Sequence, residues 1–433
     1  MDMGVGGTRS DDDENGYELV RSTAALTAGR CASALSQLLG KGSGEVIGGR
    51  LALRIDPQLL ARVGRTRRSV LVTGTNGKST VTALVAAVLR ASGSVVTNAT
   101  GANMPDGIVT VMASDRTSEL AAIEVDEVYL RPVVDALEPR VIIALNAFRE
   151  YTRGVSLAAT LDHWRDVADH LPTDSVVVAN VDDPLTMWAF EGAPRVVGVA
   201  GALGWQVDAA LCPACGREHR WLADGWSCPG CGRRRPDPAW RIETQVGDGA
   251  WLIEHPHGSE AVRVAVPGRT APIGAAFGLA AGVEMGIDVG AAARAMSLVV
   301  DVDGRYFPFP VRGRSARLLM LKNPAGWTEA IDVAVSSGTP FVIAVDPFGP
   351  RDTTTMWEAP FGRLSGRSLP VTGGRAADAL AVLEAAHVDG VEFPDASDAI
   401  AAAAGEGSAG EVIVACNYPA FRRLSKHFRA SML

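Results

Sequence analysis

Residues 68–93 read RSVLVTGTNGKSTVTALVAAVLRASG: an aliphatic run, a turn bounded by glycines, then an Ala-rich stretch at helical spacing. A strand that turns on glycines directly into a helix beginning Lys-Ser is the setting of a phosphate loop. Glycines let backbone N–H groups close around phosphate oxygens, and the helix N-terminus adds its positive end. Gly74, Thr75, Asn76, Gly77, Lys78, Ser79 and Thr80 are therefore the expected nucleotide-binding residues. Lys78 supplies a point charge and Ser79 is placed to ligate Mg2+. The loop is two residues shorter than the commonest GxxxxGK[ST] spacing.

Further apolar runs ending in polar residues follow: AAIEVDE, RVIIALN and DSVVVANVDDP, with helical patterns between them. Strands alternating with helices imply an α/β fold on a parallel sheet, which puts its ligand at the carboxyl ends of the strands. Beyond residue 236, WRIETQVG, GAWLIEH and EAVRVAVPG alternate as antiparallel strands do, and an Ala-rich helix is expected from Ile273 to Met285. RLLMLKNPAGW, PFVIAVDPF, GRSLPVTG and GEVIVACNYPA read as strands of a second α/β unit. The expected organisation is an acidic disordered tail at 1–21, an ATPase domain at 22–302 and a C-terminal α/β domain at 303–433. A helix is expected over 22–39. The stretch LLGKGSGEVIGGRLALRIDP holds too many glycines for a helix and reads as a turn-rich connector to a short strand.

Within the first unit stands CPACGREHRWLADGWSCPGCG. Its doubled CPxCG knuckles, Cys212, Cys215, Cys228 and Cys231, can close a tetrahedral four-cysteine zinc site in an insertion spanning about 208–236. Such a site has no open position for water, so the zinc is structural. His219, between the knuckles, reads as an exposed loop histidine, and Trp221 and Trp226 are available for packing or contact. The other two cysteines, Cys31 and Cys416, are isolated, which suits a reducing compartment and not a disulfide framework. A net charge of −8 with no basic run argues against nucleic acid as a partner. No apolar stretch is long enough to span a bilayer, so a soluble cytoplasmic protein is expected.

The short GTNGKST loop resembles the central domain of the Mur ligases, ATP-dependent amide-forming enzymes of peptidoglycan synthesis. The segments at 29–57, 97–108 (TNATGANMPDGI), 123–130 (IEVDEVYL) and 318–331 (LLMLKNPAGWTEAI), with the knuckles, narrow the resemblance to the MurT-type subunits. Those subunits amidate the D-glutamate of lipid II, and the resemblance covers the chain from about residue 25 onward. It implies ATP, Mg2+ and structural Zn2+ as cofactors, an acyl phosphate intermediate, and ammonia from a GatD-type glutaminase in a heterodimer.

It also implies roles for particular residues. Glu124 matches the acidic residue that Mur-type enzymes use for Mg2+; Asp126 and Glu127 beside it are either further acidic ligands or solvated loop charges. Asn180 matches a segment near the nucleotide base, which a strand-end turn explains almost as well. Arg305 resembles the arginine that reaches ATP from the C-terminal domain, against the plainer reading of an exposed surface arginine. Asp352 takes the place of the aspartate lent to the glutaminase's Cys–His pair, with Asp346 as the competing choice and a helix cap as the plainer reading. The chain departs from the family at NAFREYTRG, which keeps Asn146, Phe148 and Arg149 with Glu150 for an aspartate, and at RTAPIGAAFGLAA, which lacks two asparagines expected near the adenine. These departures bear on nucleotide affinity and on the acceptor, and leave room for a paralogue that amidates another carboxylate. A non-catalytic nucleotide-binding scaffold is the third reading.

Overall fold

The computed structural model describes residues 11–39, 44–98, 101–115, 117–150, 154–247, 249–264, 270–299, 308–348, 354–404 and 411–430. The expected Arg305 and Asp352 lie outside the described residues. Six strands build the central sheet: β1 (Arg68–Thr73), β2 (Val95–Thr97), β3 (Leu120–Glu124), β4 (Val141–Ala144), β5 (Val176–Asn180) and β6 (Val196–Val199). All pair in parallel, in the order β2-β3-β1-β4-β5-β6. Because side chains alternate across a strand, Val70 and Val72 feed one core while Leu71 feeds the other. From β1 the chain runs to β2 and then β3 on one side before crossing to β4 on the other, so a crevice opens at the carboxyl end of β1. The phosphate loop sits there.

One face of this sheet is covered by the helices Lys78–Arg90, Thr270–Glu284 and Val289–Met296, together with the antiparallel sheet β9 (Arg241–Val246), β10 (Ala250–His255) and β11 (Gly258–Val262). The intervening β7 (Arg220–Leu222) and β8 (Gly225–Ser227) form a hairpin within the cysteine segment. The C-terminal unit is a second sheet of β12 (Pro308–Val311), β13 (Arg314–Met320), β14 (Phe341–Ala344), β15 (Ser368–Thr372), β16 (Asp389–Glu392) and β17 (Glu411–Cys416). Its order is β12-β13-β17-β14-β15-β16, with β12 alone antiparallel. Apolar cores lie on both of its faces.

The N-terminal region differs from the expectation twice. Helix α1 runs Asp11–Leu38, so the expected tail is helical in its backbone from residue 11, while its residues 1–10 lie outside the described residues. The glycine-rich segment is helix α2 (Glu45–Ile55), not a connector into a strand. Its glycines serve tertiary packing: a Cβ on Gly48 would lie 2.0 Å from Ser33 Oγ of α1, and one on Gly49 only 1.6 Å from the carbonyl oxygen of Asp106. Helix packing this close outweighs the cost of about 1 kcal/mol per glycine in a helix. Buried Asp56 then ties the region together, taking Ser22 Oγ at 2.7 Å and Arg62 Nη1 at 2.5 Å.

Candidate active site

The phosphate loop is a shaped cradle. Gly74 has φ 131°, and a Cβ there would meet Leu145 Cβ at 2.9 Å, so only glycine fits. The following helix, Lys78–Arg90, is capped by Gly77 with no side-chain hydrogen bond, which leaves its first amides for a ligand. The loop is laced to residues 146–148: Asn76 N donates to Asn146 Oδ1 at 2.9 Å, Asn146 Nδ2 to Asn76 O at 3.1 Å, and Phe148 N to Thr75 Oγ1 at 2.9 Å.

Lys78 is 5% exposed, and its Nζ donates to Glu127 Oε2 at 2.9 Å and to Gly74 O at 2.5 Å. Asp126 and Glu127 are both buried, so the reading of them as solvated charges is overturned. A buried cation inside the turn needs a counter-ion, and Glu127 is it. Ser79 Oγ donates to Glu124 Oε2 at 2.5 Å, and Glu124 Oε1 accepts Asn103 Nδ2 at 2.8 Å. Neighbouring oxygens in an octahedral Mg2+ shell sit about 2.9 Å apart, so this hydroxyl and carboxylate, 2.5 Å apart, would need to part by only a few tenths of an ångström to hold that ion. Asn98 fixes the Glu124 backbone from both sides, at 2.8 Å each. Glu150 sits beside a cavity of about 20 Å3 lined also by Thr75, Asp126, Glu127 and Phe148. Burial, then the charge of Glu127, pushes its carboxyl above the usual range, against Lys322 and Lys78.

The C-terminal unit reaches this loop. Asn76 and Asn323 exchange side-chain amide hydrogen bonds, both 3.1 Å, while Asn323 caps the helix Pro324–Ser337 by accepting Gly326 N at 2.9 Å. Neither Asn103 nor Asn323 stands out in the sequence as a site residue. Both lie within family-resembling segments, but only the fold brings Asn323 across to residue 76.

Asn180 ties the turn after β5 to the loop after β6: Oδ1 accepts Asp182 N at 3.0 Å and Gly201 N at 3.2 Å, and Nδ2 donates to Ala202 O at 3.3 Å. Asp346, the alternative partner-facing aspartate, is engaged within the unit by Arg423 Nε at 2.6 Å and Gly374 N at 3.0 Å. Burial would raise its carboxyl, but these contacts outweigh it and hold the group below the usual range. Phe348 and Tyr418, with ring centroids 5.7 Å apart, are exposed aromatics, as is Trp357.

Asp183 is fully buried and pins the loop behind the cradle, accepting Ala147 N at 2.8 Å, Leu185 N at 3.0 Å and Thr186 Oγ1 at 2.7 Å. Burial pushes its carboxyl up to about 6, against those hydrogen bonds. The folded value lies above the ordinary 3.8, so the folded state holds the proton more tightly. Its contribution to stability is fully present below about pH 4 and is lost as pH rises through about 6, by about 3 kcal/mol. Asp183→Asn is expected to gain on the wild type by up to that amount between pH 4 and pH 7. Denaturant titrations of both proteins across this range measure it, and a parallel pH dependence would contradict the assignment.

The four knuckle thiols come together with all Sγ atoms within 4.8 Å of one another. Cys212 and Cys231 stand 3.7 Å apart, and Cys215 and Cys228 3.4 Å. A tetrahedron with Zn–S bonds of about 2.3 Å has edges of about 3.8 Å, so the set fits zinc. The backbone and then the guanidinium of Arg233 lower the Cys231 thiol to about 6. His219 is not the exposed loop residue expected: it is buried, its Nδ1 is 2.7 Å from Ala209 O, and it takes no part in the cluster.

Residues 72–200 match the Mur ligase middle domain. Subunit MurT of the glutamine-hydrolysing lipid II isoglutaminyl synthase from Streptococcus pneumoniae is 28% identical, over 81% of this chain and 83% of that one. The chain carries a Mur ligase middle domain and is similar to MurT. The fold agrees: a pseudomurein peptide ligase type C from Methanothermus fervidus superposes with a TM-score of 0.65 at 14% identity, covering 86% of this chain and 80% of that one. MurF from Acinetobacter baumannii gives 0.64 at 14% identity, covering 88% and 80%. Among the described residues no helix is long and apolar enough to cross a membrane.

Proposed function

We propose that the chain is the synthetase subunit of a glutamine-dependent amidotransferase, converting a carboxylate to an amide with ATP. The acceptor carboxylate oxygen attacks the γ-phosphorus and ADP leaves. Ammonia then attacks the acyl carbon, phosphate departs and a proton passes to solvent. Lys78 and the amides at the start of the helix Lys78–Arg90 neutralise charge on the transferring phosphoryl group. Ser79 and Glu124 would hold Mg2+, which draws charge from the phosphate oxygens when bound. Asn103 keeps Glu124 aimed, and Asn323 carries the C-terminal unit to the loop.

The observation that carries this reading is the Ser79–Glu124–Asn103 chain beside Lys78 in a relative of MurT. The acceptor we favour is the D-glutamate α-carboxylate of lipid II, reached in the cytoplasm at the inner membrane face. The nitrogen donor we favour is a GatD-type glutaminase. It would dock over the exposed Phe348, Trp357 and Tyr418, where Asp352 completes its Cys–His pair, and Arg305 would reach the nucleotide.

ADP release and product mass with lipid II test this. Ammonium chloride should support amidation by the chain alone, and glutamine only with the partner present. Turnover with neither nitrogen source would remove lipid II as the acceptor and leave another carboxylate, such as one in a secondary-metabolite pathway.

A further inference from the structure

The cysteine module is more than an appendage, because its contacts run inward to the cleft between the two units. Trp226 donates its Nε1 hydrogen to Val181 O at 2.9 Å, which docks the hairpin on the loop after β5. Arg235 adds an ion pair to Asp182 at 2.5 Å. His219, packed against Trp226 with ring centroids 5.4 Å apart, holds the turn Val207–Ala209: its Nδ1 meets Ala209 O at 2.7 Å and its backbone N–H donates to Ala210 O at 2.8 Å.

That turn carries Asp208, whose side chain is 1% exposed. Asp208 Oδ2 accepts the backbone N–H of Arg149 at 2.9 Å, and Oδ1 accepts its Nε. The other end of the guanidinium crosses to the C-terminal unit, where Nη2 meets Glu358 Oε2 at 2.7 Å. Arg149 also directly follows Phe148, which is bonded to Thr75 of the phosphate loop. One residue therefore joins the cysteine module, the support of the phosphate loop and the C-terminal unit.

We propose that the zinc ribbon is a brace for domain closure, with His219, Asp208 and Arg149 as positioning residues that transmit metal occupancy to Glu358. A side chain as long as arginine gives up much rotamer freedom when held in one pose. The two-point grip of Asp208 imposes that loss beforehand, so the outer half reaches Glu358 already oriented. Arg149 and Glu358 are each about one-third exposed, so their pair alone is worth little and depends on salt. The inference concerns domain coupling and stands apart from the identity of the acceptor.

Hydrogen exchange of the full chain, zinc-loaded and after chelation, tests it in the wild type, Arg149→Gln and Glu358→Gln. Glu358 is on the surface, so its variant keeps the fold. In the wild type, zinc removal should speed exchange at 207–210 and also at 354–364. In Glu358→Gln, 354–364 should already exchange faster, by up to about five-fold, with no further response to zinc. Arg149→Gln should match it at 354–364, and the double variant should be no worse than either single one. High salt should mimic Glu358→Gln in the wild type only. If zinc removal loosens 207–210 and leaves 354–364 unchanged, or if the double variant adds the two single effects, the brace is wrong and the ribbon is only a surface module. None of these readouts needs acceptor, nucleotide or partner.

Discussion

Lys78→Ala is expected to abolish ATP turnover, by about 10^3-fold or more, the scale on which preorganised charge at a transition state operates. The same change should also weaken the fold. Lys78 and Glu127 form a buried pair, side chains 5% and 7% exposed, and removing one partner of such a pair costs about 3–5 kcal/mol. Glu150 faces the same charges, so loss of Lys78 removes an influence that lowers its carboxyl. A melting curve and an ADP-release assay separate the two effects. Adding Glu127→Gln to Lys78→Ala should restore much of the stability and none of the turnover. Turnover that returns with stability would show Lys78 to be a structural residue.

Metal removal should produce the second large effect, a melting of the cysteine module. Its two strands span three residues each, and between Cys212 and Cys231 only Cys212, His219, Trp226 and Cys228 are buried. So small a core cannot hold a fold, whereas structural zinc contributes about 10 kcal/mol or more of apparent binding energy. Cys212→Ser or chelation is therefore expected to release one zinc per chain and melt the module in its own transition, below that of the central sheet. Thiol titration reads this directly. Cys31 is exposed and should react fast throughout, Cys416 is buried and should not, and the four knuckle thiols should become reactive only after chelation. Knuckle thiols that react freely before chelation would mean that no metal is held.

How much of this could be read from the chain follows from the range of each interaction. The strand–loop–helix at 68–90 and the doubled knuckles are local patterns, and they fold as their spacing implies. The helix α2 was not legible, because its glycines look like breakers until Ser33 and Asp106 are packed against them. Glu127 looked as much like a loop charge as a ligand; only the fold shows Lys78 beside it. Asn323 answers a residue 247 positions away, and Asp208 one 59 positions away. Such pairings carry no periodicity, so no inspection of neighbours reveals them. His219 was misplaced for a related reason: a histidine between metal knuckles suggests an exposed loop, yet its ring fills the seam between the module and the turn below.

The strand order of the C-terminal sheet has a consequence for biosynthesis. β17 lies in the middle, between β13 and β14, although it follows all the other strands in the chain. While a ribosome is adding residues 345–410, β13 and β14 therefore face each other across a missing strand, each with an unsatisfied edge. The sheet closes only once translation has passed Cys416 and its emerging segment threads between them. The central unit, whose strands end at Val199 but whose covering helices end at Met296, can fold before that. Nascent chains stalled with Met296 clear of the ribosome and Cys416 still inside should carry a folded first unit and an unclosed second sheet.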